Sequence, residues 1–259
     1  MCRLAAYLGP AITLQQFLLD PPHSLYKQSW QPRELKYTLL NADGYGFGWY
    51  NSENLAATYT CTSPIWSDHN LPALAATLCE PLWLAEVRSA TEGLPVHAFN
   101  TAPFMEKQYL YVHNGFIRDF HAGVLPEILR YLSPRSLAKL RGNTDSEYLF
   151  LVLCQLLHKQ ASADVPAAMR KLFRLLDDWI DEQPTLLNIV IADGERIYAV
   201  RHGLNHECPS LYYTTDDEMF PGGQLLASER FSENGFWQPV PEHHILVLDP
   251  DDPPELQAL

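Results

Sequence analysis

The chain has 259 residues, of which 47% are hydrophobic and 19% charged, so it can bury one large core and forms a folded protein. With 31 acidic against 18 basic residues its net charge is −13, which disfavours nucleic acid and anionic membrane surfaces as partners. It has no apolar run long enough to span a bilayer, no secretory signal and no CxxC pair among five scattered cysteines, which predicts reduced thiols and a cytoplasmic location.

The first residues contain a candidate nucleophile. Cys2 stands directly after Met1, at the head of an apolar run to Tyr7 that predicts a strand. If Met1 is removed, the thiol and the α-amino group belong to one residue, which then carries both a nucleophile and a base. A cysteine here can equally be a packed structural residue. The catalytic interpretation of Cys2 therefore depends on partners elsewhere in the chain.

Two segments precede the second predicted strand. Prolines break up residues 20–32, which predicts a long surface loop. Between Asn41 and Tyr50, glycines alternate with aromatic residues. A dinucleotide-binding fingerprint would need a strand before these glycines and a helix after them, and neither is predicted. We therefore expect a turn that enters a strand, in which the glycines allow another backbone to come close.

The run from Trp83 to Arg88 is mostly apolar and predicts a buried strand with Arg88 at its carboxyl end. The forked guanidinium group suits two hydrogen bonds to a substrate carboxylate. On the sequence alone, an ion pair with a surface carboxylate explains Arg88 equally well.

A further strand, Tyr109 to Val112, is predicted to stop at His113-Asn114-Gly115. The side-chain amide of Asn114 and the backbone N–H of Gly115 are two donors that could form an oxyanion hole for acyl transfer. The alternative is an ordinary Asn-Gly turn. His113 is expected to be a packed residue.

Two core-facing helices follow, one from Asp145 to about Lys159 and one from Pro166 to about Asp181. Thr144 with Glu147 three residues later predicts a capping box. Asp145 in the first turn is favoured by the helix dipole, and it could also accept hydrogen bonds from a substrate ammonium group.

The last part of the chain predicts more strands. Asp193-Gly194 between two apolar runs predicts a hairpin, and Leu225–Ala227 and Ile245–Leu248 predict further strands. A metal site at His202, His206 and Cys208 lacks a clear fourth ligand, so no metal is expected. Residues 249–259 form an acidic, proline-rich tail that we expect to be frayed.

Several motifs together resemble the glutaminase signature of the class II glutamine amidotransferases, which are N-terminal nucleophile hydrolases. They are Cys2, Arg88–Thr91, Asn100–Phe104, His113–Gly115 and Thr144–Glu147. The resemblance implies an α+β fold, a four-layer αββα sandwich in a single domain over residues 1–248. It implies no metal and no organic cofactor.

The resemblance also implies roles for individual residues. Cys2 would be the nucleophile and carry the base, while Asn114 and Gly115 would bind the oxyanion. Arg88 and Thr91 would hold the α-carboxylate of the substrate, and Asp145 its α-ammonium group. The chain departs from the better-known members at Glu92, where those have histidine.

Other segments resemble the ergothioneine-pathway branch of this family, whose members remove glutamate from γ-glutamyl-hercynylcysteine sulfoxide. They are Leu19–Pro22, Gln28–Pro32, Asn41–Gly44 and Ser63–Asp68. This implies an amidohydrolase acting on a small γ-glutamyl compound. We expect the loop around Pro22 to Trp30 and the segment around Trp66 to face the leaving amine, where aromatic rings could cover a cationic group. The alternatives are a glutaminase subunit that supplies ammonia to a separate synthetase, and a γ-glutamyl-binding module without turnover.

Overall fold

The computed structural model describes residues 2–35, 39–90, 95–159 and 164–259. Within these residues the strands are β1 (Arg3–Thr13), β2 (Tyr45–Tyr50), β3 (Ala56–Cys61), β4 (Cys79–Val87), β5 (Phe104–Glu106), β6 (Tyr109–Ile117), β7 (Thr185–Ala192), β8 (Ile197–Leu204), β9 (Tyr212–Thr214), β10 (Gln224–Ala227), β11 (Gln238–Pro239), β12 (His244–Leu248) and β13 (Glu255–Ala258). The α-helices are α1 (Leu14–Leu18), α2 (Leu25–Gln28), α3 (Leu71–Thr77), α4 (Leu125–Tyr131), α5 (Pro134–Leu137), α6 (Asp145–Lys159) and α7 (Val165–Trp179). Short 3₁₀ helices span Ile65–Ser67 and Ala98–Asn100.

These strands form two antiparallel sheets. The first has the order β11-β9-β10-β1-β4-β2-β3 and the second the order β13-β12-β8-β7-β6-β5. The predicted hairpin is confirmed, because β7 and β8 pair on either side of Asp193-Gly194. The strand predicted after the first glycines is confirmed as β2, and so is the close approach of another backbone, because a Cβ on Gly46 would lie 2.3 Å from the carbonyl oxygen of Ala102.

The central strands are buried on both faces, which explains their nearly continuous apolar sequences. Successive side chains of a strand point to opposite faces. In β1, Leu4 and Ala6 pack between the two sheets, whereas Ala5 and Tyr7 pack on the outer face of the first sheet with Phe17 of α1.

Helices cover the outer face of the second sheet. Leu149 and Leu153 of α6 and Leu172 of α7 belong to one core cluster with Ile189 and Ile191 of β7. Helix, sheet, sheet and helix therefore form the four layers of an αββα sandwich, and the predicted fold class is confirmed. No helix in the described part of the chain is long and apolar enough to cross a membrane.

The prediction of a surface loop over residues 20–32 is wrong. The segment contains α2, and His23, Gln28 and Ser29 are buried. Their polar groups have partners inside the protein: the Gln28 amide donates to the carbonyl oxygens of His23 and Glu229. The prolines do prevent a long helix here, but side chains far along the chain hold the segment in the interior.

The prediction of a frayed tail is also wrong. β13 pairs antiparallel with β12, with Leu246 opposite Leu256. The Arg170 side chain on α7 donates to the carbonyl oxygen of Ala258 at 3.1 Å, which anchors this edge strand to the helical layer. The domain boundary at residue 248 stays a prediction.

Candidate active site

Polar side chains gather at one end of the interface between the sheets. On β1, β4, β6 and β10, the even-numbered residues Leu4, Leu84, Val112 and Leu226 face the opposite sheet. The same alternation continues to a polar residue on each strand or directly beside its end. These residues are Cys2, Glu86, Asn114 and Ser228.

The thiol of Cys2 lies in a confined, polar environment. Sγ is 3.9 Å from the carbonyl oxygen of Ser89, and the residue keeps some solvent exposure. Nε of the buried Arg3 donates to the carbonyl oxygen of Cys2 at 2.7 Å, which fixes the backbone at this position. Burial, followed by the charge of Glu86, raises the pKa of the Cys2 thiol. The thiol is therefore protonated at neutral pH and needs a proton acceptor to become a nucleophile.

Asn114 and Gly115 lie within β6, opposite Asn188 and Leu187 of β7. The expectations that the strand ends at His113 and that an Asn-Gly turn could occur here are therefore wrong. Nδ2 of Asn114 donates to Oγ of Ser228 at 2.8 Å, and a primary amide has a second N–H for another acceptor. Oδ1 of Asn114 is buried and has no hydrogen-bond partner among the described residues.

The packing of β6 against β7 leaves no room for a side chain at position 115, which explains the glycine there. A Cβ at this position would lie 1.8 Å from the carbonyl oxygen of Leu186 and 2.6 Å from Nε2 of His113. Since the first contact is with backbone, a side chain cannot be accommodated without moving a strand.

Arg88 follows the last residue of β4 and is 5% exposed. Its backbone is held by Asp43 and Gly44, because Asp43 N–H donates to the Arg88 carbonyl and Arg88 N–H donates to Gly44. Nη1 makes a long contact of 3.5 Å to the carbonyl oxygen of Asp43. No other hydrogen bond of this guanidinium group is found in the described part of the chain, so donors remain for a ligand carboxylate.

Asp145 begins α6 beside the end of β6. Oδ2 accepts from the Ile117 backbone N–H at 2.9 Å, and Oδ1 accepts from the Ser146 N–H at 2.7 Å. Oδ1 also accepts from the Ser146 hydroxyl at 3.3 Å. Oδ2 can accept a further bond, so Asp145 keeps capacity for a ligand ammonium group.

Neighbouring residues hold this helix terminus in place. The Thr144 hydroxyl accepts from Glu147 N–H at 3.2 Å, as predicted for a capping box. The return bond of that box is not found, because the Glu147 carboxylate accepts instead from the backbone of Arg141 and Gly142. His113 is a packed residue, as expected, with ring nitrogens bound to Ser146 and the Leu186 carbonyl.

The structure therefore brings together five of the predicted site residues around the sheet ends: Cys2, Arg88, Asn114, Gly115 and Asp145. The sixth, Thr91, lies outside the described residues. Sequence reasoning missed Glu86 and Ser228. A signal for Glu86 was present, because it is the one acidic residue in the apolar run from Leu82 to Val87.

The histidines near the end of β8 do not form the metal site considered from the sequence. A different set, Cys208, Glu242 and His243, places possible ligand atoms within 4.8 Å of one another among the described residues. The Glu242 carboxylate already pairs with Arg201 at 3.2 Å. Because this carboxylate is already paired with a cation, the group carries no metal assignment.

A cavity of about 610 Å³ lies beside β7, and Cys2, Arg88, Asn114, Gly115 and Asp145 are absent from its lining. Its lining includes Leu186, which is in register with Phe116 of β6, together with Glu34 and Tyr212. Tyr212 donates to the Glu34 carboxylate at 2.9 Å. The volume is in the range that small-molecule sites occupy.

The two tryptophans predicted to cover a leaving amine differ in how freely a ligand could reach their rings. The ammonium group of Lys27 lies over the Trp30 ring at 3.8 Å, so one ring face is already occupied by a cation. Trp66 is 39% exposed and lies in a 3₁₀ helix that precedes Asp68.

Comparison with known proteins gives a consistent result over nearly the whole chain. A family model described as glutamine amidotransferases class-II matches residues 19–246. The γ-glutamyl-hercynylcysteine sulfoxide hydrolase of Mycolicibacterium smegmatis is 31% identical over 246 residues, which cover 95% of each chain. The protein of the same name from Mycobacterium tuberculosis is 30% identical over 248 residues, which cover 96% of this chain and 93% of that one.

Solved structures show the same fold at lower sequence identity. A glutamine aminotransferase class-II domain protein from Silicibacter pomeroyi superposes with a TM-score of 0.69 at 24% identity, covering 99% of both chains. Glutamine phosphoribosylpyrophosphate amidotransferase from B. subtilis gives a TM-score of 0.66 at 11% identity, covering 99% of this chain and 49% of that one.

Proposed function

Because the chain belongs to the class II glutamine amidotransferases, we propose that it is an amidohydrolase that cleaves γ-glutamyl amides through a thioester on Cys2. The observation that carries the proposal is the convergence of a thiol, an amide donor, a cation and a carboxylate at one end of the sheet interface. These groups are Cys2, Asn114, Arg88 and Asp145.

In the proposed reaction, Sγ of Cys2 attacks the γ-carbonyl carbon of the substrate. The oxyanion accepts hydrogen bonds from the Asn114 amide and the Gly115 N–H, and donors of this kind contribute about 2.7–4 kcal/mol each to acyl transfer. The amine leaves with a proton, and water then hydrolyses the thioester to release glutamate. Removal of Met1 supplies the free α-amino group of Cys2 as a base.

Two opposite charges account for recognition of the glutamyl part. The guanidinium group of Arg88 has free donors for the α-carboxylate, and Thr91 is proposed to share this contact. Asp145 retains acceptor capacity for the α-ammonium group. A zwitterionic amino acid head is thus held at both charges, which leaves its γ-carbonyl to be directed at Cys2.

For the substrate we propose γ-glutamyl-hercynylcysteine sulfoxide, on the basis of the two mycobacterial relatives that carry this activity in their names. We propose that the protein's partner is this small polar substrate and that the protein acts in the cytoplasm. The alternative that keeps the same chemistry is a glutaminase subunit that passes ammonia to a synthetase.

The proposal is tested by the mass and activity of purified protein. We expect intact mass spectrometry to show the chain without Met1, and we expect Cys2→Ala to abolish glutamate release without changing the thermal unfolding temperature by more than a few degrees. Cys154→Ala is a control, since Cys154 lies in α6 away from the site. Active protein that retains Met1, or a Cys2→Ala variant with near wild-type turnover, would contradict the mechanism.

Wild-type substrate preference separates the two activities. We expect kcat/KM for γ-glutamyl-hercynylcysteine sulfoxide to exceed that for glutamine by at least about 100-fold, since a larger leaving group can make contacts that stabilise the transition state. A strong preference for glutamine would favour the glutaminase subunit. Binding of both compounds without release of glutamate would favour a module without turnover.

A further inference from the structure

The carboxyl group of Glu86 lies beside the Cys2 thiol, and the reaction as described above gives it no task. Glu86 is opposite Leu4 in the pairing of β4 with β1, on the face between the sheets. It is 5% exposed. Cys2 precedes Leu4 by two residues and so lies on the same face, where the charge of Glu86 acts on its thiol. Oε2 of Glu86 is buried without a hydrogen-bond partner in the parts of the chain that the structure describes.

Several charged and titratable groups surround this carboxyl group. Burial is the largest influence and raises the pKa of Glu86 to about 7. Arg88 at the end of β4 opposes that rise, and Asp145 at the start of α6 adds to it. The phenol of Tyr111 and the imidazole of His113, both on β6, are neutral because burial raises the pKa of Tyr111 and lowers that of His113.

The Cys2 thiol and the Glu86 carboxyl group are close enough that a total charge of −1 on the two groups is favoured over a charge of −2. If Glu86 is ionised, loss of the Cys2 proton to solvent would place two negative charges in a buried site, which is costly. Transfer of that proton from Sγ to the carboxylate keeps the charge of the pair at −1. The pair therefore titrates as a unit, and one of its two forms contains a thiolate.

We propose that Glu86 is a catalytic proton acceptor for Cys2, a task it shares with the α-amino group. As Sγ attacks the γ-carbonyl carbon, the S–H bond breaks, an O–H bond forms on Glu86 and the carbonyl π electrons move to oxygen. When the C–N bond breaks, the proton passes from Glu86 to the leaving amine. The ionised carboxylate is then available again when water attacks the thioester. This inference rests on the proposed function of Cys2 as nucleophile.

The first test measures the reactivity of Cys2 without any substrate. The full chain is treated with iodoacetamide from pH 5 to pH 10, and modification of Cys2 is followed by peptide mass spectrometry, which separates it from the other cysteines. In the wild type we expect the rate to rise with an inflection near neutral pH. In Glu86→Gln we expect the inflection to move up by at least one pH unit and the rate at pH 7 to fall about 10-fold or more.

The direction of this shift separates the proposal from a merely repulsive or structural role. A carboxylate that only repels the thiolate would give the opposite result, a lower inflection and faster modification in Glu86→Gln. A packing role would leave the inflection unchanged. Either result would overturn the inference. Glu80→Gln is the matched control, because Glu80 is on the same strand but opposite Ile12 and partly exposed.

The second test is the pH profile of kcat/KM for hydrolysis of L-glutamine. We expect Glu86→Gln to lower kcat about 100-fold or more at pH 7 with little change in KM, and to remove the inflection near pH 7. If Glu86→Gln does not fold, Glu86→Asp serves, because it keeps the charge but withdraws it by one methylene group. An Asp variant with the wild-type alkylation profile and kcat would contradict the inference.

Failure of this inference can be told apart from failure of the proposed function. If Cys2→Ala is inactive and Glu86→Gln is as active as the wild type, Cys2 remains the nucleophile and Glu86 is not its proton acceptor. If Cys2→Ala retains activity, the proposed function itself is wrong.

Discussion

At the scale of single residues, the site is built from groups whose polar atoms are held by the backbone around them. Asp145 accepts from two backbone N–H groups, and Asp43 fixes the loop after β4 by accepting from Ala90 N–H at 2.8 Å. Such support holds a charge in place before a ligand arrives, which lowers the entropy lost on binding. We expect these two charges, Arg88 and Asp145, to contact only the α-carboxylate and α-ammonium groups of the glutamyl part.

Mutations should distinguish the residue that binds the glutamyl part of the substrate from those that bind the leaving amine. We expect Arg88→Ala to lower kcat/KM about 100-fold or more, by a similar factor for glutamine and for γ-glutamyl-hercynylcysteine sulfoxide, because both have the same α-carboxylate. Trp66→Ala and Trp30→Ala should impair mainly the larger substrate, since a cation–π contact is worth about 0.5–2 kcal/mol. The Trp30 effect should be the smaller one, because Lys27 already covers that ring.

The measurement is kcat/KM for both substrates across these variants. Arg130→Ala is the control for loss of a cation, as Arg130 is exposed and pairs with Glu127 on α4. If the tryptophan variants lose both activities equally, Trp30 and Trp66 do not take part in recognising the leaving amine.

At the scale of single elements, β6 links the site to the core. Its first half packs Leu110 and Val112 between the sheets, and its second half contains Asn114 and Gly115. Because the strand runs on without a turn, the register of β6 with β7 sets the positions of Asn114 and Gly115, the two proposed oxyanion donors. Any shift of this register would move the proposed site residues together with the core.

We expect Gly115→Ala to destabilise the protein by about 1–3 kcal/mol or more and to lower kcat at the same time, since its Cβ would meet the Leu186 carbonyl at 1.8 Å. Gly123→Ala is the control, because the atom nearest to that Cβ is the flexible Gln183 amide nitrogen at 3.0 Å. Denaturant unfolding and glutaminase activity are measured on both. A Gly115→Ala variant with wild-type stability would show that β6 and β7 are not packed this closely.

At the scale of the whole molecule, Glu229 joins segments that are far apart in the chain. Its carboxylate pairs with Arg3 at 3.3 Å and with His23 at 2.7 Å. It also accepts from the backbone N–H groups of Arg33 and Glu34 at 2.8 and 3.0 Å. One buried carboxylate thus holds the start of β1 and the segment on either side of α2 against the end of β10.

Burial alone would raise the pKa of Glu229, but the hydrogen bonds from His23, Arg33 and Glu34 outweigh it and lower the pKa overall. A carboxyl group with a lowered pKa in the folded state stabilises the protein above its unfolded pKa, and this contribution is lost as the pH falls through its folded pKa. We expect Glu229→Gln to cost about 3–5 kcal/mol at pH 7, because it leaves the Arg3 charge uncompensated. The difference from wild type should shrink towards pH 3.

Thermal unfolding from pH 3 to pH 8 measures this effect. Glu233→Gln should match the wild type throughout, because Glu233 forms an exposed pair with Arg33 and such pairs contribute little. A Glu229→Gln difference that stayed constant with pH would show that the network acts through shape and not through charge.

The amino-acid sequence by itself determined the features that depend on local pattern. The bounds of α6, the β7–β8 hairpin and the burial of β4 follow from apolar spacing and from turn residues close along the chain. The fold class and family also followed from the sequence, because the motifs around Cys2, Arg88 and Asp145 occur in a specific order, and both predictions are confirmed.

Only the tertiary structure decided the features that depend on distant contacts. Glu86 beside Cys2, Ser228 on Asn114 and Glu229 on the buried Gln28 all join positions more than eighty residues apart. The same holds for β6, whose path through Asn114 and Gly115 depends on pairing with β7 and overrides the local turn preference of Asn-Gly. Periodicity reports which face of an element is apolar, but it carries no information about which strand will lie opposite.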